Sequence, residues 1–359
     1  MKKRHPLVWL IPLILLLMLV PFVVPSALPY AGAEEADLPV YSPVELTNKS
    51  PASMFPLPSP KDPSPSPFSP HTDAFGDYVE NTSKKGETEL IPFTYRDGTL
   101  YVKTEMRTVD GTKVYFTWVQ IADPGQLRTH VTQETNPIRE SVKIGAVMAI
   151  NGDWYPGRRE GIIYRNSVLM RPEKAFGNYD TLIIDDEGNF HILSRPTQED
   201  FMPYVGNIMH SFLFGPGLVI DGKMVEIKDN NYGSGPGMGL LRKAQRQAIC
   251  QMGKLSYLIL TTEGPNESPD GGFTAPQLAK LAYDVGAVNA YNLDGGSSAA
   301  LIMSGFRSSL NDKITGFRIN RFGKGPIREV VDLIYFATAE EAPAVPEAPA
   351  EAAEGSAEP

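Results

Sequence analysis

The spacing of apolar and polar residues changes several times along the chain, and each change marks an element. Residues 7–24 are almost wholly apolar, whereas 37–77 scatter apolar residues among prolines and serines with no period. Strand-length apolar runs then begin. Residues 100–104 follow an Asp97-Gly98 turn and 114–121 follow Asp110-Gly111, an aspartate-glycine signal for hairpins. Further runs cover 142–150, leading into Asn151, then 162–164 and 181–185. Residues 212–220 hold Gly215-Pro216-Gly217 and end at Asp221-Gly222; 246–252, 255–262 and 330–336 complete the set. Helical spacing is clearest after Thr274, where Gln277 completes a capping box, Leu278, Leu281, Ala282 and Val285 repeat, and Gly286 stops the helix. Strands outnumber helices, so the expected class is α+β: mostly antiparallel or mixed sheet with a few helices packed on it, in a single folded domain over 78–339.

One stretch joins this pattern to chemistry. Val288, Ala290 and Tyr291 suit a buried strand and 299–303 is a second apolar run; between them lies Asn292-Leu293-Asp294-Gly295-Gly296-Ser297-Ser298. Glycine permits backbone shapes closed to other residues and leaves room for a ligand. A carboxylate at a strand end before Gly-Gly reads as a reactive group within reach of substrate. The other reading of the same pattern is a tight hairpin whose Asp and Ser satisfy turn backbone.

Composition sets the boundaries. The chain has 359 residues, and its 32 prolines cluster. Lys2, Lys3 and Arg4 precede the apolar run, and Ala31-Gly32-Ala33 fits a cleavage site. Residues 1–33 therefore read as an export signal or, uncleaved, as a membrane anchor, the only membrane attachment expected. Either way the body works outside the cytoplasm, extracellular or at the cell surface. Residues 34–77 read as an extended Pro/Ser tether and 340–359 as a disordered Ala/Pro/Glu tail. The net charge of −9, with no basic block beyond the leader, argues against a nucleic-acid partner. Cys250 is the only cysteine, so no internal disulfide forms. No Gly-x-Ser-x-Gly elbow is present, which argues against a serine esterase.

Five separated segments, in order, resemble one family. They are Asn151-Gly152-Asp153-Trp154-Tyr155, the run from Phe214 to Gly222, Arg246-Gln247-Ala248, Asn292 to Ser298, and Arg328 ahead of the last strand. The family is the phosphodiester glycosidases, named for the enzyme that uncovers mannose 6-phosphate by removing N-acetylglucosamine from a sugar-phosphate diester. Two positions depart from its pattern: Asp153 stands where a second glycine is usual, and Ser297 where the third glycine of the signature is usual.

The resemblance implies hydrolysis at an anomeric carbon through an oxocarbenium-like transition state, with phosphate as leaving group. Asp294 is then the expected carboxylate at the anomeric centre and Glu263 the second, unless it is a solvated strand end. Arg246, charged within an apolar run, is the expected phosphate ligand, or else a structural ion pair with an acid such as Asp294. Arg328 is a further phosphate candidate or a surface residue. Asn151, Asn292 and Ser298 suit hydrogen bonds to hydroxyls or phosphate, and Gly295 and Gly296 suit an anion-binding nest. Asp153 suits substrate or, with Asp294, a hard cation such as calcium or magnesium, though no ligand loop is legible. Trp154 and Tyr155 suit stacking on a sugar or burial in the core. The expected partner is a phosphorylated glycan or polysaccharide. A non-catalytic module binding such glycans, and a phosphodiesterase cutting the P–O bond, are the other classes the same residues allow.

Overall fold

The computed structural model describes residues 75–76, 93–96 and 99–339, except 158–159, 173–176, 229–231, 233–238, 266–270, 308–313 and 321–327. The leader, nearly all of the tether, the tail, Asp97 and Gly98, and most of residues 229–239 lie outside the described residues.

Strands β1 (Phe75–Gly76), β2 (Phe93–Arg96), β3 (Leu100–Val109), β4 (Thr112–Ile121) and β5 (Leu127–Thr135) come first. Helix α1 (Pro137–Lys143) leads to β6 (Met148–Asn151), β7 (Ile162–Arg165) and β8 (Val168–Pro172). Next are β9 (Thr181–Asp185), β10 (Phe190–Leu193), the short α2 (Gln198–Phe201), β11 (Ile208–Phe212), β12 (Gly217–Ile220) and β13 (Lys223–Met224). Then follow β14 (Gln247–Gly253), β15 (Ser256–Thr262), α3 (Ala275–Asp284), β16 (Asn289–Asn292), β17 (Leu301–Arg307), β18 (Ile314–Arg318) and β19 (Val330–Phe336).

Nine strands form one sheet in the order β1-β2-β3-β4-β15-β14-β16-β12-β13, and five form a second, β18-β17-β6-β19-β5. A three-stranded sheet, β10-β9-β11, and the β7-β8 hairpin complete the described strands. Neighbouring strands pair antiparallel, as in β4 with β15 and β6 with β19. The α+β class expected from the pattern is the class observed.

Alternation along the strands explains the layers. Tyr115, Val119, Ile249, Ile259 and Tyr291 of the large sheet meet Met148, Ile150, Leu301, Met303, Ile334 and Phe336 of the second sheet in the main core. Their neighbours Phe116, Ala248, Cys250, Leu258 and Ala290 face the other way, under Leu278, Leu281 and Ala282 of α3. Central strands are therefore apolar on both faces. The Cys250 thiol is buried here, and burial pushes its pKa up, as suits a small core residue.

Local signals did their expected work in several places. Asp110 and Gly111 (φ +48° and +75°) turn β3 into β4, and Asp221 and Gly222 (φ +48° and +71°) turn β12 into β13. The Thr274 hydroxyl accepts the Gln277 N–H while Gln277 Oε1 accepts the Thr274 N–H, and α3 ends before Gly286 (φ +86°). Two runs read as continuous strands are broken. Residues 142–150 begin in α1, whose N-cap Asn136 accepts the N–H groups of Ile138 and Arg139 ahead of Pro137, and only their end is strand. Residues 212–220 divide into β11 and β12 around the cis Gly215-Pro216 bond.

His210, wholly buried in β11, accepts the Asn166 N–H at Nδ1, so its Nε2–H donates to the Leu127 carbonyl and the ring is neutral. Burial, reinforced by Arg165, pushes its pKa down to about 3, against the Leu127 hydrogen bond. The unfolded chain takes up this proton near pH 6.5 and the folded one does not, so stability falls as pH drops from about 6.5 towards 3. Unfolding free energies from urea titrations over that range should show a slope of up to about 1.4 kcal/mol per pH unit from this residue, flattened in His210→Gln.

Candidate active site

Two strand ends from different sheets meet at the site. β6 of the five-stranded sheet ends at Asn151, and β16 of the nine-stranded sheet ends at Asn292, two residues before Asp294. The Asn151 amide joins them: Nδ2 donates to the Asp294 carbonyl at 2.6 Å, and Oδ1 accepts the Ala300 N–H at 3.0 Å. The Asp294 N–H in turn donates to the Gly152 carbonyl at 3.3 Å. Both glycines after Asp294 are required by their surroundings. A Cβ on Gly295 would sit 2.7 Å from the Gln245 carbonyl oxygen, and Gly296 has φ +59°.

A shallow cleft opens over this junction, lined by Asn151, Gly152, Trp154, Asp294, Ser298 and Asp332, with Glu134 and residues 328–331. Among the described residues, Arg328 is the one cationic side chain that lines it; Arg328 is exposed and donates from Nη1 to Ser297 Oγ at 3.1 Å. The expected residues Asp294, Ser298 and Arg328 are thus brought together. Asn151 joins them in a different capacity from the one expected, because both ends of its amide are engaged by main chain and it positions Asp294.

The remaining expected residues have other partners. Arg246, 5% exposed, does not line this cleft, and no ion pair joins it to Asp294. Its Nε donates to the Phe273 carbonyl at 3.0 Å, and Nη2 donates to those of Gly239 and Arg242, each at 2.8 Å. It clamps the 239–242 segment against β14, and burial, then Arg242, lowers its pKa to about 10. Glu263 is also absent from the cleft lining. It is buried, accepts the Tyr115 hydroxyl at 2.7 Å, and stands two strands away from Asp294 in the β15-β14-β16 order, roughly 10 Å of backbone spacing. Asn292 is wholly buried and donates to the Gly215 carbonyl at 2.7 Å, tying β16 to the Gly-Pro bend. The Gly296 N–H goes to the Gln245 carbonyl at 2.9 Å, which removes it from any anion nest.

Asp153 is the largest departure from expectation. Its side chain lies beneath the cleft, 1% exposed, paired with Arg165 at 2.5 Å and accepting the Leu213 N–H at 2.7 Å. The carboxylate is fully engaged, so neither substrate nor a cation shared with Asp294 has access to it. No group of three or more His, Cys, Asp or Glu side chains gathers as a cation site among the described residues. Arg165 also lies 3.7 Å from Asp332, donates to the Ser211 carbonyl and sits 4.3 Å above the Phe212 ring.

Asp332 is the acid that the sequence pattern left unmarked. It projects from β19 under Gly152 and accepts the N–H groups of Asp153 and Trp154 at 2.9 and 3.2 Å. A Cβ on Gly152 would fall 2.1 Å from its Oδ2, so the glycine of the Asn-Gly pair makes room for this carboxyl. Burial would raise Asp153, but Arg165 and the hydrogen bonds from Asp332 and Leu213 outweigh it and bring its pKa below the ordinary value. Burial, then the Asp153 charge beside it, holds Asp332 well above the carboxylate range. The two directions favour negative charge on Asp153, beside Arg165, over negative charge on Asp332.

A family model described as phosphodiester glycosidase matches residues 144–337. Over 194 residues the chain is 27% identical to the SPbeta prophage-derived protein YomE of Bacillus subtilis; the match covers 53% of this chain and 27% of YomE. The chain thus spans about a quarter of the length of that curated relative. A Synechocystis protein of solved structure has the same fold, with a TM-score of 0.50 at 14% identity over 68% of this chain and 63% of its own. The zebrafish N-acetylglucosamine-1-phosphodiester alpha-N-acetylglucosaminidase catalytic domain, solved auto-inhibited by its pro-peptide, aligns over 81% of this chain and 100% of its own, with a TM-score of 0.48 and 17% identity.

Proposed function

Since the chain belongs to the phosphodiester glycosidase family, we propose that it is an exported hydrolase that splits the bond between a sugar's anomeric carbon and a phosphodiester oxygen in a glycan or cell-surface polymer. One observation carries the reading: Asp294 is held at a two-sheet junction, in a cleft shared with Ser298 and an exposed arginine, Arg328.

In the reaction, water adds at the anomeric carbon, the C–O bond to phosphate breaks, and the phosphate ester leaves with the bonding electrons while the water proton passes to solvent. Positive charge builds on the sugar ring in between, and the Asp294 carboxylate stabilises or attacks that centre. A phosphate ester is a good leaving group, so recognition of its oxygens matters more than protonation. Arg328 and the Ser298 hydroxyl are the groups in the cleft suited to it, with the guanidinium fork matching phosphate geometry. Asn151 fixes the height of Asp294, and the Asp332 carboxyl accepts the N–H groups of Asp153 and Trp154.

Incubation of purified protein with α- and β-hexose-1-phosphate methyl diesters in oxygen-18 water tests this. The expected result is free sugar carrying the label, with unlabelled methyl phosphate. Label in the phosphate would identify a phosphodiesterase, and tight binding with no release from any diester would identify a glycan-binding module.

A further inference from the structure

The two neighbouring aromatics of the Asn151–Tyr155 segment have opposite fates. Tyr155 packs inward, its ring 5.2 Å from the Arg171 guanidinium and 5.8 Å from that of Arg165. Trp154 turns outward, 44% exposed, and lines the cleft beside Asp294 and Ser298. Its orientation is built at some expense. The backbone is left-handed at φ +55°, an unfavourable region for a bulky residue. It is fixed by the Trp154 N–H donating to Asp332 Oδ1 at 3.2 Å and by the Gly157 N–H closing on the Trp154 carbonyl at 2.9 Å.

Gly157 explains the attitude of the ring. A Cβ there would lie 2.3 to 2.5 Å from Cε3, Cδ2 and Cε2 of the indole, so the ring rests directly on a glycine that bears no side chain. A ring backed by Gly157, 44% exposed and carried on a strained backbone contributes little to the core. Such rigid, pre-set aromatic surface suits a ligand with a flat apolar face. A pyranose offers one, its axial C–H groups, while its hydroxyls point outward at the ring edge.

We propose that Trp154 is the platform on which the substrate's pyranose ring lies, so that the indole sets the ring's plane against Asp294 and selects sugars with an uninterrupted C–H face. The assignment rests on the glycosidase reading for its reacting centre, but stacking is measurable without turnover. Trp118 and Trp9 are the only other tryptophans, so emission differences against Trp154→Phe report on this ring.

With hexose-1-phosphate methyl diesters as probes, wild-type emission should shift on binding and that of Trp154→Leu should not, while dimethyl phosphate, which has no sugar, leaves both unchanged. Trp154→Leu, apolar but without a ring face, should raise KM on the order of 10- to 100-fold and also lower kcat, because the sugar loses its set against Asp294. Trp154→Phe should recover most of that loss. Hydrolysis with an unchanged KM in Trp154→Leu and no emission shift in wild type would overturn the platform and leave the glycosidase standing. An emission shift on the sugar diesters with no hydrolysis of any of them would sustain the platform and overturn the glycosidase.

Discussion

Replacing Asp294 by asparagine should lower sugar release on the order of 10³-fold or more while the protein folds and binds as before. The reason lies in which atoms do what. The turn is held by the main chain of Asp294, whose carbonyl accepts from Asn151 and whose N–H donates to Gly152, and neither bond involves the carboxylate. Asparagine has the same shape, so the junction survives, but its amide cannot compensate the charge of an oxocarbenium-like centre. The measurements are kcat on a hexose-1-phosphate diester, a thermal melt, and the indole emission shift as a report of binding. Retention of the wild-type rate would move the chemistry to another acid. Loss of the emission shift together with the rate would make Asp294 a binding group instead.

Arg165→Met should destabilise the fold by about 3–5 kcal/mol, because it leaves the Asp153 carboxylate buried without its counter-ion. For a domain of this size that lowers Tm by about 6–20 °C. Arg165 and Asp153 are each 1% exposed, so water cannot replace the lost partner. The converse is equally informative. In Asp153→Asn with Arg165→Met the charge is removed from both sides, while the asparagine oxygen can still accept the Leu213 N–H. That double variant should be less destabilised than Arg165→Met alone, as expected when the penalty is an orphaned charge. Urea titrations of the wild type, the single variant and the double variant give the comparison; equal midpoints for wild type and Arg165→Met would refute it.

Much of the architecture was legible because its signals are local. The Thr274–Gln277 box, the Asp110-Gly111 turn and the apolar runs of β14 and β15 each span a few consecutive residues, and each forms as read. The Asn136-Pro137 start of α1 was equally local and was masked by the apolar run that follows it. The site divides along the same line. Asp294 and Ser298, from one motif, line a cleft with Arg328, from another. Asp332 gave no sign of itself, since it is one acid amid apolar residues of the last strand and its contacts lie 178 and 179 residues earlier. Arg246 illustrates a subtler blind spot. A buried cation in an apolar run announces that it needs acceptors, but here they are main-chain carbonyls of Gly239, Arg242 and Phe273, and carbonyls are common to every residue type.

The amide bridge from Asn151 has a bearing on the whole interior. Asp294 hangs from one sheet and is steadied by the other, so its height over the cleft gauges how far apart the two layers stand. Trimming or swelling a side chain such as Ile259 or Ile334, deep between those layers and remote from any sugar, would reset that gauge. Any rate that depends on Asp294 should then register the tightness of the protein's centre.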